Sequence, residues 1–222
     1  MNAAGQTGLT RPQAILFDWD NTLVDSWSTI HEALNHVMAA MGKPGWTMAE
    51  TRARVRLSLR ESFPLHFGER WEEARAIYLN RFRAIHLERL TALPGCAEMV
   101  EALAGDKFFL GVVSNKTGSL LRREAAQLGW SRHFGRLVGA GDAALDKPHP
   151  APVGLALEPS AVAPGESVWF VGDTGVDMIC AQNTGCVPVL LGGDPASEEL
   201  RHAPPRLVFS EPAALLRFLR DL

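Results

Sequence analysis

Lysine is scarce in this 222-residue chain, standing only at Lys43, Lys107, Lys116 and Lys147, and most of the positive charge comes from arginine. The net charge is -3, so no global excess points to a nucleic acid or an anionic membrane as partner. Cysteine is scarcer still. Cys96, Cys180 and Cys186 are odd in number and lack CxxC spacing, which argues against a disulfide scaffold or zinc cluster and for reduced, buried thiols. The seven histidines show no metal spacing of the HExxH kind. No apolar stretch approaches a membrane span. The opening MNAAGQTGLTR lacks the apolar core of a signal peptide, so residues 1–11 are expected to be a disordered lead-in and the protein cytoplasmic. Internal repeats and low-complexity tracts are missing too. What is present is ordinary globular chemistry, 46% hydrophobic and 21% charged, long enough for one large domain or a domain with an insert.

Short apolar runs recur along the chain. Strands are expected at Ala14–Phe17, Phe108–Val113, Leu137–Gly139, Val168–Val171, Val187–Leu191 and Leu207–Phe209. From Phe108 onward they alternate with helical segments, Leu120–Leu128, Pro152–Leu157, Val176–Gln182 and Glu211–Leu219, the last with Ser210 as N-cap. That alternation predicts an α/β fold, a Rossmann-like doubly wound parallel sheet. Residues 25–91 break the rhythm. Ile30, Leu34, Val37, Met38 and Met41 keep helical spacing, Thr47 to Glu50 reads as a capping box, and Trp71, Ala74, Tyr78, Phe82 and Ile85 lay a stripe on a third helix. The division expected is therefore a core domain of residues 12–24 plus 92–222 with a helical cap, 25–91, inserted after the first strand. Asp25 and Leu93-Pro94-Gly95 would be its hinges.

The first strand runs into Asp18, Asp20 and Asp25, and like charges brought together out of water destabilise one another. In a parallel α/β sheet, however, ligands bind beyond the carboxyl ends of the strands. The Val168–Val171 strand ends in Gly172-Asp173-Thr174-Gly175-Val176-Asp177, a second acidic cluster at the same edge. A solvated strand end would explain Asp18 and Asp20 alone but not two converging clusters. Hard oxygen ligands with room for water and phosphate suit Mg2+, whose charge removes the repulsion. Ser114-Asn115-Lys116 and Asp146-Lys147-Pro148 end two other elements and supply a hydroxyl, an amide and an ammonium, the makings of a phosphoryl cradle.

With these residues in view, the chain resembles the haloacid dehalogenase superfamily and, within it, the phosphoglycolate phosphatase-like branch. Asp18-Trp19-Asp20-Asn21-Thr22-Leu23-Val24-Asp25 looks like the first motif, Ser114-Asn115 the second, Lys147-Pro148 the third, and Gly172-Asp173-Thr174 through Asp177 the fourth. Asn21 stands where the family usually has Gly, and Trp19 is larger than the usual Phe or Leu. Asn is the next most tolerant residue in a left-handed turn. The resemblance implies that Asp18 is the nucleophile and Asp20 the acid and base. Asp18, Asp173 and the main-chain carbonyl of Asp20 would ligate Mg2+, Asp177 would orient that shell, Thr22 would fix the loop, and Ser114, Asn115 and Lys147 would hold phosphate. It also implies a small phosphorylated metabolite as partner and a monomer or homodimer. Arg60, in the cap stretch Ser58-Leu59-Arg60-Glu61-Ser62, is the candidate for reading an anionic leaving group, against a plain solvated helix face rich in Arg52, Arg54 and Arg56.

Other readings separate on single residues. A dehalogenase lacks the second aspartate that Asp20 supplies, and a phosphonatase needs a cap lysine, for which only Lys43 is present. A sugar-phosphate phosphomutase keeps the same motifs. A silent binding module would not need Asp20, and a phospho-aspartate receiver lacks a large cap.

Overall fold

Four consecutive apolar residues, Ala14–Phe17, form the first strand, β1, and all four are fully buried. A strand with no exposed face must be covered on both sides, and this one is. Ile15 and Phe17 pack into one apolar cluster, Ala14 and Leu16 into another.

The computed structural model describes residues 9–222. Of the lead-in expected over residues 1–11, residues 1–8 lie outside the described residues, but Leu9 packs on the core and the Arg11 guanidinium lies 4.5 Å over the Phe108 ring. Residues 9–11 are thus part of the folded body, because both side chains find apolar surface.

The elements follow in chain order. After β1 come β2 (Val24–Asp25), α1 (Trp27–Ala40), α2 (Met48–Arg54), α3 (Leu59–Phe67), α4 (Trp71–Ile85), β3 (Thr91–Ala92) and α5 (Cys96–Gly105). Then come β4 (Phe109–Thr117), α6 (Gly118–Gln127), β5 (Arg136–Ala140), α7 (Ala151–Leu157), β6 (Val168–Gly172), α8 (Gly175–Asn183), β7 (Val187–Leu191), β8 (Leu207–Phe209) and α9 (Pro212–Arg220). Six strands make one parallel sheet in the order β5-β4-β1-β6-β7-β8. Helices α5, α6 and α9 contribute to the cluster under Ile15 and Phe17, while α7 and α8 cover the opposite face. This is the doubly wound arrangement the alternation predicts.

The sheet order positions the site. β1 lies between β4 and β6, with Phe17 level with Val112 on one side and Val171 on the other. Here the winding reverses, and a crevice opens at the carboxyl ends of the strands.

The chain between β1 and α5 is helical. Thr47 Oγ1 accepts from the Glu50 N–H at 3.2 Å and Glu50 returns the contact to the Thr47 N–H at 2.8 Å, the reciprocal cap expected for α2. Ile30, Val37, Phe63, Tyr78 and Phe82 form a separate apolar cluster that Leu120 of α6 joins from the core.

Three local details differ from the sequence expectations. The two crossings into the helical segment pair as a short antiparallel ribbon, Val24 opposite Ala92 and Asp25 opposite Thr91. The helix face read across Arg52, Arg54, Arg56 and Arg60 is broken in two, since α2 ends at Arg54 and α3 starts at Leu59, and α3 ends where Gly68 turns left-handed at φ 56°. Helix α9 is capped by Glu211 rather than Ser210, with Pro212 preset for its first turn.

Candidate active site

The loop after β1 is held by its own backbone. The Asp18 N–H donates to the Val171 carbonyl at 2.8 Å, continuing the β1–β6 pairing one residue beyond the strand. Asn21 then adopts φ 65°, the left-handed turn its substitution for glycine calls for. Its N–H donates to the Val24 carbonyl at 2.7 Å, and its Oδ1 accepts from the Ser26 N–H at 3.2 Å. The turn brings Asp18 and Asp20 to the same cavity.

That cavity, about 120 Å³, lies at the carboxyl ends of β1, β4 and β6. Asp18, Asp20, Ser114, Asn115, Lys147, Asp173 and Asp177 all line it. Lys147 is buried between two carboxylates, 2.7 Å from Asp18 Oδ1 and 2.7 Å from Asp177 Oδ1. Burial works against its charge, but Asp177 and Asp18 outweigh it and hold the ammonium protonated. Asp177 is fixed from its own helix. Its Oδ2 accepts from the Thr174 N–H at 3.0 Å and the Thr174 hydroxyl at 2.8 Å, capping α8. Thr22, which does not line the cavity, donates its hydroxyl to Asp173 Oδ1 at 2.9 Å.

Asp18, Asp173 and Asp177 each place a carboxylate oxygen within 4.8 Å of the others. Burial lifts the Asp18 pKa to about 6 even though Lys147 pulls it down, and Asp177 adds to the rise. Asp173 is pushed well above its ordinary value by burial and by Asp177 and Asp18. Protein donors leave this cluster with excess negative charge, which is the chemistry a hard divalent cation matches.

Ser114 and Asn115 lie on an extension of β4 that runs to Thr117, past the Val113 end expected from the sequence; the register with β5 slips after Val113. The Ser114 Oγ accepts from the Lys116 N–H at 3.2 Å, which leaves its own hydrogen to donate. The Asn115 amide donates to the Lys147 carbonyl at 3.1 Å and so ties the second and third motif loops together.

Arg60 does not line the cavity. It pairs with Asp146 at 2.7 Å, joining α3 to the loop before Lys147. The arginine in the cavity wall is Arg56, whose Nε donates to Glu199 at 2.8 Å. Arg56 lies in the link between α2 and α3 and Arg60 in the first turn of α3, and the sequence carries no signal for which one faces inward.

Sequence reasoning assigned no role to a second charged network behind Asp20. Lys116 is buried, 2.5 Å from Asp20 Oδ1 and 3.1 Å from Glu124 Oε2. Glu124 also accepts from the Trp19 indole at 2.7 Å and has His86 Nδ1 at 2.7 Å. The Ser26 hydroxyl donates to the same Asp20 oxygen as Lys116. Burial pushes Glu124 up, but Lys116, His86 and Trp19 together hold it below its ordinary value. Trp19 thus has a specific partner that neither Phe nor Leu could serve. The readable signal was Glu124 itself, a carboxylate amid the apolar positions Leu120, Leu121 and Ala125 of α6.

The sequence profile of the haloacid dehalogenase-like hydrolases matches residues 15–190. The chain belongs to this family. It is 31% identical over 217 residues to a phosphoglycolate phosphatase of Xanthomonas campestris pv. campestris, covering 91% of this chain and 97% of that one. A phosphoglycolate phosphatase of Yersinia pestis is 28% identical over 182 residues, 78% of each chain. Among solved structures, a haloacid dehalogenase-like hydrolase from Streptococcus pneumoniae superposes with a TM-score of 0.81 at 25% identity, covering 95% of this chain and 99% of that one. A protein from Clostridium acetobutylicum described as a predicted phosphatase reaches 0.84 at 20% identity over 96% of this chain and all of that one, a likeness of fold.

Proposed function

We propose that this hydrolase is a Mg2+-dependent phosphatase of small organic phosphate monoesters that works through an aspartyl-phosphate on Asp18. The observation that carries the reading is the position of Asp18. It is a buried carboxylate 2.7 Å from Lys147, in a three-carboxylate cluster, and it shares its cavity with Asp20. The names of the relatives, phosphoglycolate phosphatases, support the substrate class and make 2-phosphoglycolate the reference ester.

In this mechanism an Asp18 oxygen attacks phosphorus and the bond from phosphorus to the leaving oxygen breaks. Lys147, Ser114 and Asn115 hold the phosphoryl oxygens as their charge redistributes. Asp20 gives its proton to the departing alkoxide and then takes one from the water that hydrolyses the aspartyl-phosphate. Lys116 and Ser26 both engage Asp20 Oδ1, so Oδ2 is the oxygen free to carry that proton. The donor set fits Mg2+ on Asp18, Asp173 and the Asp20 main-chain carbonyl, where the cation would supply charge neutralisation for the phosphoryl group. Asp177, with both oxygens taken by protein donors, orients the cluster, and Thr22 fixes Asp173. Residues 25–91 would act as a lid that opens on the β2–β3 ribbon and excludes water when closed. A cytoplasmic place of action accords with three free, buried thiols. Among the described residues no helix is long and apolar enough to cross a membrane.

The experiment is phosphate release from p-nitrophenyl phosphate with Mg2+ and with EDTA, plus acid-quench trapping of phosphoprotein in the wild type and in Asp18→Asn. Label on wild-type protein that is lost in the variant is the expected result. Turnover that persists in EDTA, or in Asp18→Asn, would overturn the reading.

A further inference from the structure

The four motif loops contact phosphate, so selectivity must come from the part of the cavity that faces the leaving group. That wall comes mostly from the helical segment. Trp27, Ile30, Leu59, Tyr78 and Phe82 line it, with Leu120 added from α6. Tyr78 and Phe82 are nearly fully buried, and they stack at 5.6 Å.

The basic groups that line this cavity are already matched by protein carboxylates, and Arg52, whose guanidinium lies 5.5 Å over the Trp27 ring, is exposed and outside the lining. Lys116 lies between Asp20 and Glu124, and Lys147 between Asp18 and Asp177. Arg56 gives Nε to Glu199 and Nη1 to the carbonyls of Arg52 and Val55, at 2.8, 2.5 and 2.9 Å. Arg60 is on Asp146, outside the cavity. A second anionic group entering with the substrate would lose its water, displace one of these carboxylates or lie close to Asp20. Each option costs more than an exposed ion pair returns. The polar groups the wall still offers are the Tyr78 hydroxyl and the Trp27 indole N–H, neither of which makes a hydrogen bond among the described residues. Burial, with Asp20 and Glu124 nearby, holds this phenol neutral.

We infer that this cavity selects an uncharged leaving alcohol with an apolar body, so that the substrate is the phosphate monoester of such an alcohol rather than of a hydroxy acid such as glycolate. The inference rests on the phosphatase reading and narrows it. The Tyr78 phenol would donate to a polar atom on that alcohol, while Phe82, Leu59 and Trp27 take its apolar body out of water.

The test compares kcat/KM for benzyl phosphate and 2-phosphoglycolate in Mg2+, with p-nitrophenyl phosphate as the activated reference. Both test esters leave as primary alkyl alcohols, so their intrinsic reactivity is similar and the ratio reports recognition. The expected ratio favours benzyl phosphate by about tenfold or more. In Leu57→Lys the new cation stands on a wall residue that is 38% exposed. There the ratio should move toward 2-phosphoglycolate by about tenfold. Equal use of the two esters, or preference for 2-phosphoglycolate in the wild type, overturns the inference and leaves the phosphatase reading standing. Failure to hydrolyse even p-nitrophenyl phosphate in Mg2+ overturns the phosphatase reading and the inference with it. Should Leu57→Lys not fold, the wild-type ratio decides alone.

Discussion

Lys147 and Lys116 occupy parallel settings. Each is a buried ammonium that bridges an aspartate of the loop after β1 to a carboxylate on a helix, Asp18 to Asp177 for the one and Asp20 to Glu124 for the other. Their surroundings differ. Around Lys147 stands a third carboxylate, Asp173, so that three carboxylates crowd one ammonium. Around Lys116 the extra partners are neutral donors, the Trp19 indole and the Ser26 hydroxyl, with His86 completing the shell of Glu124. The consequence is visible in the carboxylates. Asp18 is raised to about 6 by burial, while Glu124, equally removed from water, is held low by its partners. A buried ion pair is stable where its hydrogen bonds are completed and frustrated where they are not. In the proposed mechanism the first lysine marks the place that would take a cation and a phosphate; the second marks a closed support.

The largest break in this comparison is Asp18→Asn. It removes the group that would form the covalent bond, and turnover should fall by about four orders of magnitude or more. The same change removes one of the crowded negative charges, so without metal the variant should unfold at a higher temperature than the wild type. Differential scanning calorimetry in EDTA checks this. A lower melting temperature would mean that the pairing of Asp18 with Lys147 outweighs the repulsion from Asp173 and Asp177.

Glu124→Gln attacks the closed support. It leaves Lys116 with Asp20 as its one carboxylate, and places an amide NH2 either where Trp19 and Lys116 or where His86 meets a carboxylate oxygen. Breaking a buried charge pair from one side costs about 3–5 kcal/mol, read from urea unfolding. The sign with pH differs between the two sites. Glu124 is lowered in the folded state, so its contribution is present above the ordinary carboxylate range and is lost on acidification. The Glu124→Gln deficit should therefore shrink as pH falls through that range.

Mg2+ sharpens the contrast from the other side. A cation that binds only the folded state stabilises by about 2.7 kcal/mol at a concentration one hundred times its Kd. That increment should survive Glu124→Gln and disappear in Asp18→Asn. Without metal, the folded state holds a proton on Asp18 between its ordinary 3.8 and about 6 that the unfolded chain has released. Stability from this group is present at pH 4 and is lost as pH rises to 6.5, opposite in sign to Glu124. The melting-temperature gap between Asp18→Asn and wild type in EDTA should widen over that interval.

Much of this was readable in the chain. The bounds of β1, β7 and β8 follow from uninterrupted apolar runs, and the neighbouring of β1 and β6 brings Asp18 and Asp173 together as their positions after strands imply. Asp18, Asp20, Ser114, Asn115, Lys147, Asp173 and Asp177 all reach one cavity because strand ends in a parallel sheet share an edge. What escaped has physical reasons. Strands β2 and β3 are two residues each, too short for any periodicity. The break between α2 and α3 leaves Arg56 in the link, and it is Arg56 rather than Arg60 of α3 that meets the cavity. The Trp19–Glu124 bond joins residues 105 apart, a pairing that only the packed fold creates.

That bond is the subject of the smallest expected effect. Phe at position 19 keeps most of the apolar ring that meets Trp130 edge-on at 5.7 Å and Phe134 at 6.4 Å. It removes the N–H that reaches Glu124 Oε2 at 2.7 Å, but Lys116 still donates to that oxygen from 3.1 Å, so the carboxylate stays satisfied. A lost hydrogen bond with a remaining charged partner costs about 1–2 kcal/mol, well short of Glu124→Gln. Urea unfolding of both variants side by side measures the difference, and the Mg2+ increment in Trp19→Phe should equal that of the wild type. If the two substitutions cost the same, the indole rather than the ammonium holds Glu124. If Trp19→Phe also loses the Mg2+ increment, the two lysine sites are one coupled unit, and the contrast between open site and closed support fails.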